Sequence, residues 1–290
     1  MVRILNLGSI NIDHVYAVDH FVRPGETLAS LGYQVFAGGK GYNQSIALAR
    51  AGATVSHLGC IGEDGRWLVD RLTKDGVGAD LIAESDSATG HAIIQVSSSG
   101  ENAIVLHAGA NHVIDEAALK LALASYGPGD WLLTQNETSS VANAMRLAKA
   151  KGLRIAFNPA PMTDAVQDFP LELVDCFILN ETEAEALSGG ETDQAGEALR
   201  ARYPQAVVVL TLGAKGACYL DAQDEVHQAA EPVEAVDTTA AGDTFTGFFL
   251  ASLIAGAKPQ EALALGSRAA GICVTRSGAA NSIPFRSELA

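Results

Sequence analysis

The chain offers little for redox or transition-metal chemistry. Its four cysteines, Cys60, Cys176, Cys218 and Cys273, are scattered through apolar stretches and form no C-x-x-C pair, so a reducing cytoplasm is the expected location. The seven histidines fall into no H-x-x-H or H-E-x-x-H spacing, and none is assigned to catalysis. Basic residues are also scarce. Nineteen Lys and Arg against 34 Asp and Glu give a net charge of −15, so neither nucleic acid nor an anionic membrane is an expected partner. Long hydrophobic runs are missing too: the longest, Phe245 to Ala257, is interrupted by Thr246, Gly247, Ser252 and Gly256 and reads as a core helix, not a membrane span. Residues 1 to 13 are too broken by polar residues to make a signal-peptide core. No G-x-G-x-x-G follows the first β-type run, which argues against a dinucleotide oxidoreductase.

What is present is an ordinary soluble-enzyme composition, 48% apolar and 18% charged over 290 residues, enough for one α/β domain with an appendage. Short β-type runs at Arg3–Leu7, Thr54–Cys60, Asp130–Thr134, Arg154–Asn158, Cys176–Leu179 and Ala206–Leu210 alternate with helical patterns. The helices read as Asn43–Ala51, Gly65–Asp75, Asp115–Ser125, Ser140–Lys151, Glu181–Leu187 and Thr192–Arg202. This alternation predicts βαβ units around a mostly parallel sheet covered on both faces. Two stretches, 14–36 and 89–107, break the rhythm, and the second has a hairpin turn at Ser97–Asn102. They predict a small separate β-sheet lid on a core formed by 1–13, 37–88 and 108–290. Its Val15, Tyr16, Val18, Ile93, Ile94, Val96, Ile104 and Val105 would leave apolar surface uncovered, so a homodimer clasped through the lids is expected.

The segment richest in chemistry is Asp237-Thr238-Thr239-Ala240-Ala241-Gly242-Asp243-Thr244, ahead of the apolar helical run. Small residues at a helix start expose free N–H groups and the positive end of the helix dipole, which suits a developing phosphoryl charge. A carboxylate at that mouth, Asp243, is placed to take a hydroxyl proton. Asp243 is equally well read, from this segment alone, as a helix cap. Similarly, Gly38-Gly39-Lys40-Gly41-Tyr42-Asn43-Gln44 reads either as a ligand loop with a glycine hinge or as a plain strand-to-helix turn.

Both segments resemble the signatures of the ribokinase, or PfkB, family of carbohydrate kinases. Further stretches match in the same order: Gly8–Asp13, Asn158–Pro161, Asn180–Glu183, Thr211–Gly216 and Thr275–Ala279. The resemblance spans almost the whole chain and implies a ribokinase-like three-layer α/β/α core with a β-sheet lid. It implies that Asn11, Asp13, Gly39, Lys40, Asn43 and Glu137 contact a sugar, although Asn136 stands where ribokinases often have Leu. Catalysis would fall to Asp243 as base, with the 240–243 loop, Ala240, Ala241 and Gly242, as anion hole.

The same resemblance assigns ATP to Asn180, Thr211, Gly213, Gly216 and Gly242. Asn180 and Glu183 would organise Mg2+, Glu183 acting through water, although the pair also has the N-cap to N3 spacing of a capping box. T-L-G-A-K-G by itself reads as a simple hairpin. Asp237, Thr239, Cys273, Arg276, Gly278 and Ser282 match positions around an activating K+. The implied reaction is transfer of the ATP γ-phosphate to the 5-hydroxyl of D-ribose. Alternatives are a kinase of the same family acting on deoxyribose, a nucleoside or another small polyol, and a non-catalytic sugar- or nucleotide-binding regulator.

Overall fold

The computed structural model describes residues 2–190 and 192–289. In chain order its strands are β1 (Arg3–Leu7), β2 (Asn11–Ala17), β3 (Gly32–Gly38), β4 (Thr54–Ile61), β5 (Gly78–Glu84), β6 (Gly90–Val96), β7 (Asn102–His107), β8 (Trp131–Thr134), β9 (Arg154–Phe157), β10 (Cys176–Asn180), β11 (Val207–Thr211), β12 (Ala217–Leu220) and β13 (Glu225–Gln228). The helices are α1 (Lys40–Arg50), α2 (Arg66–Lys74), α3 (Glu116–Leu123), α4 (Val141–Ala150), α5 (Glu181–Ser188), α6 (Thr192–Arg202), α7 (Ala241–Ile254) and α8 (Pro259–Val274).

Nine strands form one sheet in the order β13-β12-β11-β10-β9-β8-β1-β4-β5. Every pairing from β11 to β5 is parallel, and only β12, paired antiparallel to both β11 and β13 at one edge, runs the other way. Alternate residues of a central strand enter opposite cores. Cys176 and Ile178 of β10 pack on the side of α1, α2, α7 and α8, whereas Phe177 and Leu179 pack on the side of α3 to α6. Both faces are therefore apolar, which is why these strands read as unbroken hydrophobic runs in the sequence. From β1 the chain builds outward through β4 and β5 on one side and through β8 to β11 on the other. Such a reversal opens a crevice at the carboxyl ends of the central strands.

The second sheet has the order β3-β2-β6-β7. The hairpin expected at 89–107 is present as β6 and β7, closed by the bond from the Ser97 amide to the Glu101 carbonyl at 2.9 Å. Strands β2 and β3 extend beyond the expected 14–36 stretch, starting at Asn11 and ending at Gly38. Asn11 and Asp13 thus lie within a strand of the small sheet, not in the loop after β1. Paired positions put Asp13 and Val15 on one face, and His14, Tyr16, Tyr33, Val35, Ile93 and Val105 on the other. Tyr33, Val35, Ile93 and Val105 are exposed; Val18, expected on the open surface, is buried instead.

Candidate active site

Three helix starts line a single open cleft of about 570 Å³ at the carboxyl ends of the central strands. Lys40 opens α1, Asn180 caps α5, and Ala240 caps α7. Their dipoles supply the local positive field that a chain of net charge −15 needs to hold a phosphorylated ligand. At α7 the cap is Ala240, in the left-handed region with φ 62°, and no side chain bonds to the helix start. A non-glycine residue held there costs about 1–2 kcal/mol. The result is a first turn whose amides face the cleft instead of a capping side chain. One expected member of the anion hole behaves differently: the Ala241 amide donates to the Thr238 carbonyl at 3.3 Å, which leaves the Gly242 and Asp243 amides as the better-placed donors.

Asp243 projects from this turn toward α1. Its Oδ2 accepts from Asn43 Nδ2 at 3.0 Å and its Oδ1 from Gln44 Nε2 at 2.9 Å. Burial pushes its carboxyl above the usual carboxylate range, opposed by Lys40 and by these two donors. Asn43 is buried, and its own Oδ1 has no partner among the described residues. An unpaired buried acceptor beside a carboxylate is costly unless a ligand donor fills it.

The contact between the two helices rests on Gly247, one turn after Asp243. A Cβ there would lie 2.3 Å from Ala47 Cβ and 2.8 Å from the Ala47 carbonyl carbon and the Leu48 nitrogen. Asn43 and Gln44 against Asp243, and Ala47 against Gly247, mean that α1 and α7 run side by side in the same direction. Their positive ends coincide at Asp243.

Glu137 anchors the loop that leads into α1. Its Oε2 accepts from Ser9 Oγ and, at 3.0 Å, from the Lys40 amide, while its Oε1 lies 3.5 Å from Lys40 Nζ. Burial lowers Lys40, but the carboxylates of Glu137 and Asp243 more than offset it and leave it raised. Burial, then the charge of Glu137, push Asp13 up to about 6 against the pull of Lys40. Gly38 and Gly39 have steric reasons for being glycine as well as a hinge reading. A Cβ on Gly38 would sit 2.0 Å from Asp13 Oδ2, and Gly39 has φ 94° with the Ser9 carbonyl 2.9 Å from where a Cβ would be. Asn11 is buried and its Oδ1 accepts from Asn111 Nδ2 at 2.8 Å. Asn111, which the sequence did not single out, also fixes the Ile10 amide through its Oδ1 at 2.9 Å. Asn136 turns away from this region and binds the Pro161 carbonyl at 2.7 Å and Thr163 Oγ1 at 3.0 Å, so it braces a loop and adds no polar group beside Asp13.

Asn180 and Glu183 form the reciprocal capping box, with Asn180 Oδ1 accepting from the Glu183 amide at 2.8 Å and Glu183 Oε2 from the Asn180 amide at 3.0 Å. Both also line the cleft, and the second Glu183 oxygen is left available. Burial raises the Glu183 carboxyl, with Asn180 and Lys40 opposing. Thr211 ends β11 in the same cleft. Gly213 and Gly216 bound the tight turn into β12, so T-L-G-A-K-G is a hairpin of which Thr211 alone lines the cleft.

Beneath the anion turn, Asp237 Oδ1 accepts from the Thr239 amide and Oδ2 from the Gly278 amide, each at 2.9 Å. Burial would raise this carboxyl, but those bonds outweigh it and hold Asp237 low. Cys273 Sγ approaches the Thr239 carbonyl at 3.7 Å and Ser282 Oγ at 3.0 Å, which gathers these residues around one loop. The Arg276 guanidinium instead turns outward to Glu288 at 2.6 Å; its amide donates to the Cys273 carbonyl at 3.1 Å. Among the described residues one trio has the spacing to hold a metal ion, Cys218, Glu225 and His227 on the β12–β13 edge, where burial pushes the Cys218 thiol up to about 11 and keeps it protonated.

Residues 1–286 match the family described as pfkB family carbohydrate kinase. The chain is 41% identical to a ribokinase of Haemophilus influenzae, over 97% of this chain and 95% of the relative. Its fold superimposes on a ribokinase from Cryptococcus neoformans in complex with ADP at TM-score 0.87 and 38% identity, covering 100% and 99% of the two chains. A ribokinase of Arabidopsis thaliana complexed with ribose and ATP aligns at TM-score 0.89 and 28% identity, covering 100% and 98%. The chain belongs to the pfkB family of carbohydrate kinases.

Proposed function

We propose that this chain transfers the γ-phosphate of ATP to the 5-hydroxyl of D-ribose. The observation that carries the reading is the position of Asp243, held by Asn43 and Gln44 between the phosphate-facing start of α7 and the sugar-side carboxylates. Asn11, Asp13, Gly39, Lys40, Asn43 and Glu137 bind and orient the sugar. Asp243 takes the proton of the attacking hydroxyl while the Gly242 amide receives the developing charge, assisted by neighbouring amides of the 240–243 loop. ATP spans Asn180, Thr211, Gly213 and Gly216. Mg2+ would be held with the nucleotide by Asn180 and by Glu183 through water, and would neutralise phosphate charge there. The oxygen-rich loop of Asp237, Thr239, Cys273, Gly278 and Ser282, with the Arg276 backbone, fits a K+ ion.

A panel of D-ribose, deoxyribose, nucleosides and hexoses, assayed with ATP and Mg2+ and with K+ replaced by a bulky organic cation, tests the reading. Ribose is expected to give the highest kcat/KM and to lose at least several-fold when K+ is replaced. A nucleoside or deoxyribose preferred over ribose would reassign the substrate. The absence of any sugar-stimulated ADP release would leave a binding regulator.

The small sheet, 11–38 with 90–107, serves as the lid in this reading, and its closure excludes water from the transfer. Its exposed Tyr33, Val35, Ile93 and Val105 support a homodimer joined through the lids. Sedimentation at micromolar concentration is expected to show a dimer, and replacing Val35 and Val105 with Lys to yield monomer. A wild-type chain that sediments as a monomer at every concentration removes this proposal. Among the described residues no helix is long and apolar enough to cross a membrane, and we place the enzyme in the cytoplasm.

A further inference from the structure

A line of buried amide and hydroxyl groups leads away from Asp243 into the core, and nothing in the proposed mechanism uses it. Gln44 Nε2 donates to Asp243 Oδ1 at 2.9 Å and to Asn158 Oδ1 at 3.0 Å, which occupies both of its hydrogens. Gln44 Oε1 accepts from Gln135 Nε2 at 2.7 Å, and the same Gln135 nitrogen donates to Asn6 Oδ1 at 3.0 Å. Asn6 Nδ2 in turn donates to Ser45 Oγ at 2.8 Å and to the Gly41 carbonyl at 2.8 Å. Ser45 Oγ meets His57 Nδ1 at 2.8 Å, and His57 Nε2 meets the Gly8 carbonyl at 3.1 Å.

The direction of every bond in this line follows from its ends. A carbonyl only accepts, so His57 carries its hydrogen on Nε2 toward Gly8; burial lowers this histidine to about 4 and keeps it neutral. Its Nδ1 must then accept from the Ser45 hydroxyl, whose oxygen accepts from Asn6 Nδ2. At the other end Asn158 Nδ2 donates to the Ile178 carbonyl at 2.9 Å, which turns Asn158 Oδ1 toward Gln44. Gln44 is therefore locked with its amino group on the base. A reversed Gln44 would set its oxygen against both Asp243 and Asn158, and would bring its nitrogen against that of Gln135. Asn43 has no such lock, because its Oδ1 is unpartnered.

We propose that Gln135, through Gln44, is a positioning residue that holds a fixed hydrogen-bond donor on Asp243 Oδ1 and so keeps the base ionised and oriented. This rests on the reading of Asp243 as the base. Because the Oδ1 side stays a donor throughout, the proton is accepted on Oδ2, where Asn43 is free to turn and present its oxygen. The other charged or titratable groups acting with Asp243 are Lys40 on α1, Glu137 after β8, Glu183 on α5 and Cys273 on α8. None of them touches Gln135 in the bonds described above.

The test uses Gln135→Glu, nearly isosteric but at best a single donor, and Gln135→Met, similar in size with no donor, in the full-length enzyme. Both are expected to leave the KM for ribose and for ATP within about twofold, while kcat at neutral pH falls about ten- to a hundredfold, more for Glu than for Met. Without Gln135 the Gln44 amide is held at Asn158 alone and its donation to Oδ1 weakens, which raises the folded pKa of Asp243, so the acid limb of the kcat profile moves to higher pH and activity recovers on the alkaline side. A loss from packing alone lowers kcat by the same factor at every pH. If Gln135→Glu does not fold, Gln135→Met decides. A folded variant whose profile coincides with wild type, or falls uniformly, overturns the inference. If Asp243→Asn is inactive while the Gln135 variants behave as wild type, only this inference fails; if Asp243→Asn turns over normally, the reading of the base fails with it.

Discussion

Asp243→Asn is expected to lower kcat by about a thousandfold, within the range that a positioned general base contributes, while ATP still binds with near-normal affinity. The proposed nucleotide side of the cleft, lined by Asn180, Thr211 and Gly242, is untouched by the change. The fold should tolerate it as well. Gln44 stays a donor to the retained Oδ1, and Asn43 turns its unpartnered oxygen toward the new amino group. Because burial raises the folded pKa of Asp243 above its ordinary value, the protonated form is the one folding favours. Its contribution to stability is complete below the ordinary carboxylate pKa and is lost as pH climbs through the raised value. A neutral Asn removes that loss, so at neutral pH the variant is expected to melt no lower than wild type. Single-turnover phosphate transfer, nucleotide titration and thermal melts check the three parts; wild-type turnover would remove Asp243 from the chemistry.

Gly247→Ala is the second large effect. The added methyl would meet Ala47 and the backbone of Leu48 at 2.3–2.8 Å, atoms with no flexible end to swing away. Overpacking of this kind costs about 1–3 kcal/mol, which for a chain of this length lowers Tm by roughly 2–4 °C per kcal/mol. Relief requires α1 and α7 to separate, and that draws Asn43 and Gln44 off Asp243. A stability loss is therefore expected together with a drop in kcat of about tenfold or more, although residue 247 touches no substrate. Melting curves and steady-state kinetics on one preparation check both; an unchanged kcat in the destabilised variant would uncouple the helix contact from the base.

Much of this architecture was legible in the residues themselves. The central strands announce themselves because both faces are buried, as in the run Val207 to Leu210, and the start of α7 is marked by its small residues. The strands β5 and β13 escaped notice, and β12 was implied only by the T-L-G-A-K-G turn, for the opposite reason. Ala217–Leu220 and Glu225–Gln228 are four residues each, and Glu225, His227 and the half-buried positions of Gly78–Glu84 blur any apolar pattern. The extent of β2 was missed because Asn11 and Asp13 look like loop residues until their pairing with Gly38 and Phe36 is seen.

The site divided in the same way. Glycines and carboxylates in short motifs were visible, whereas Asn6, Ser45, His57, Asn111 and Gln135 were not. They come together only through bonds spanning up to 129 positions, and no local spacing signals them. The Asn180–Glu183 pair carried two readings in the sequence and carries both in space, as a cap and as a wall of the cleft.

The placement of Asn11 and Asp13 on β2, while Asn180, Thr211 and the α7 turn belong to the large sheet and its helices, separates two kinds of heritable change. Substitutions along β2 and β3 are expected to alter which alcohol is offered for reaction, if Asn11 and Asp13 hold the sugar as proposed. In the proposed reading the phosphoryl-transfer residues lie on the large sheet and its helices, together with the remaining sugar contacts Lys40, Asn43 and Glu137. The polyol contacts on β2 can therefore be varied without replacing any residue proposed to hold the phosphates.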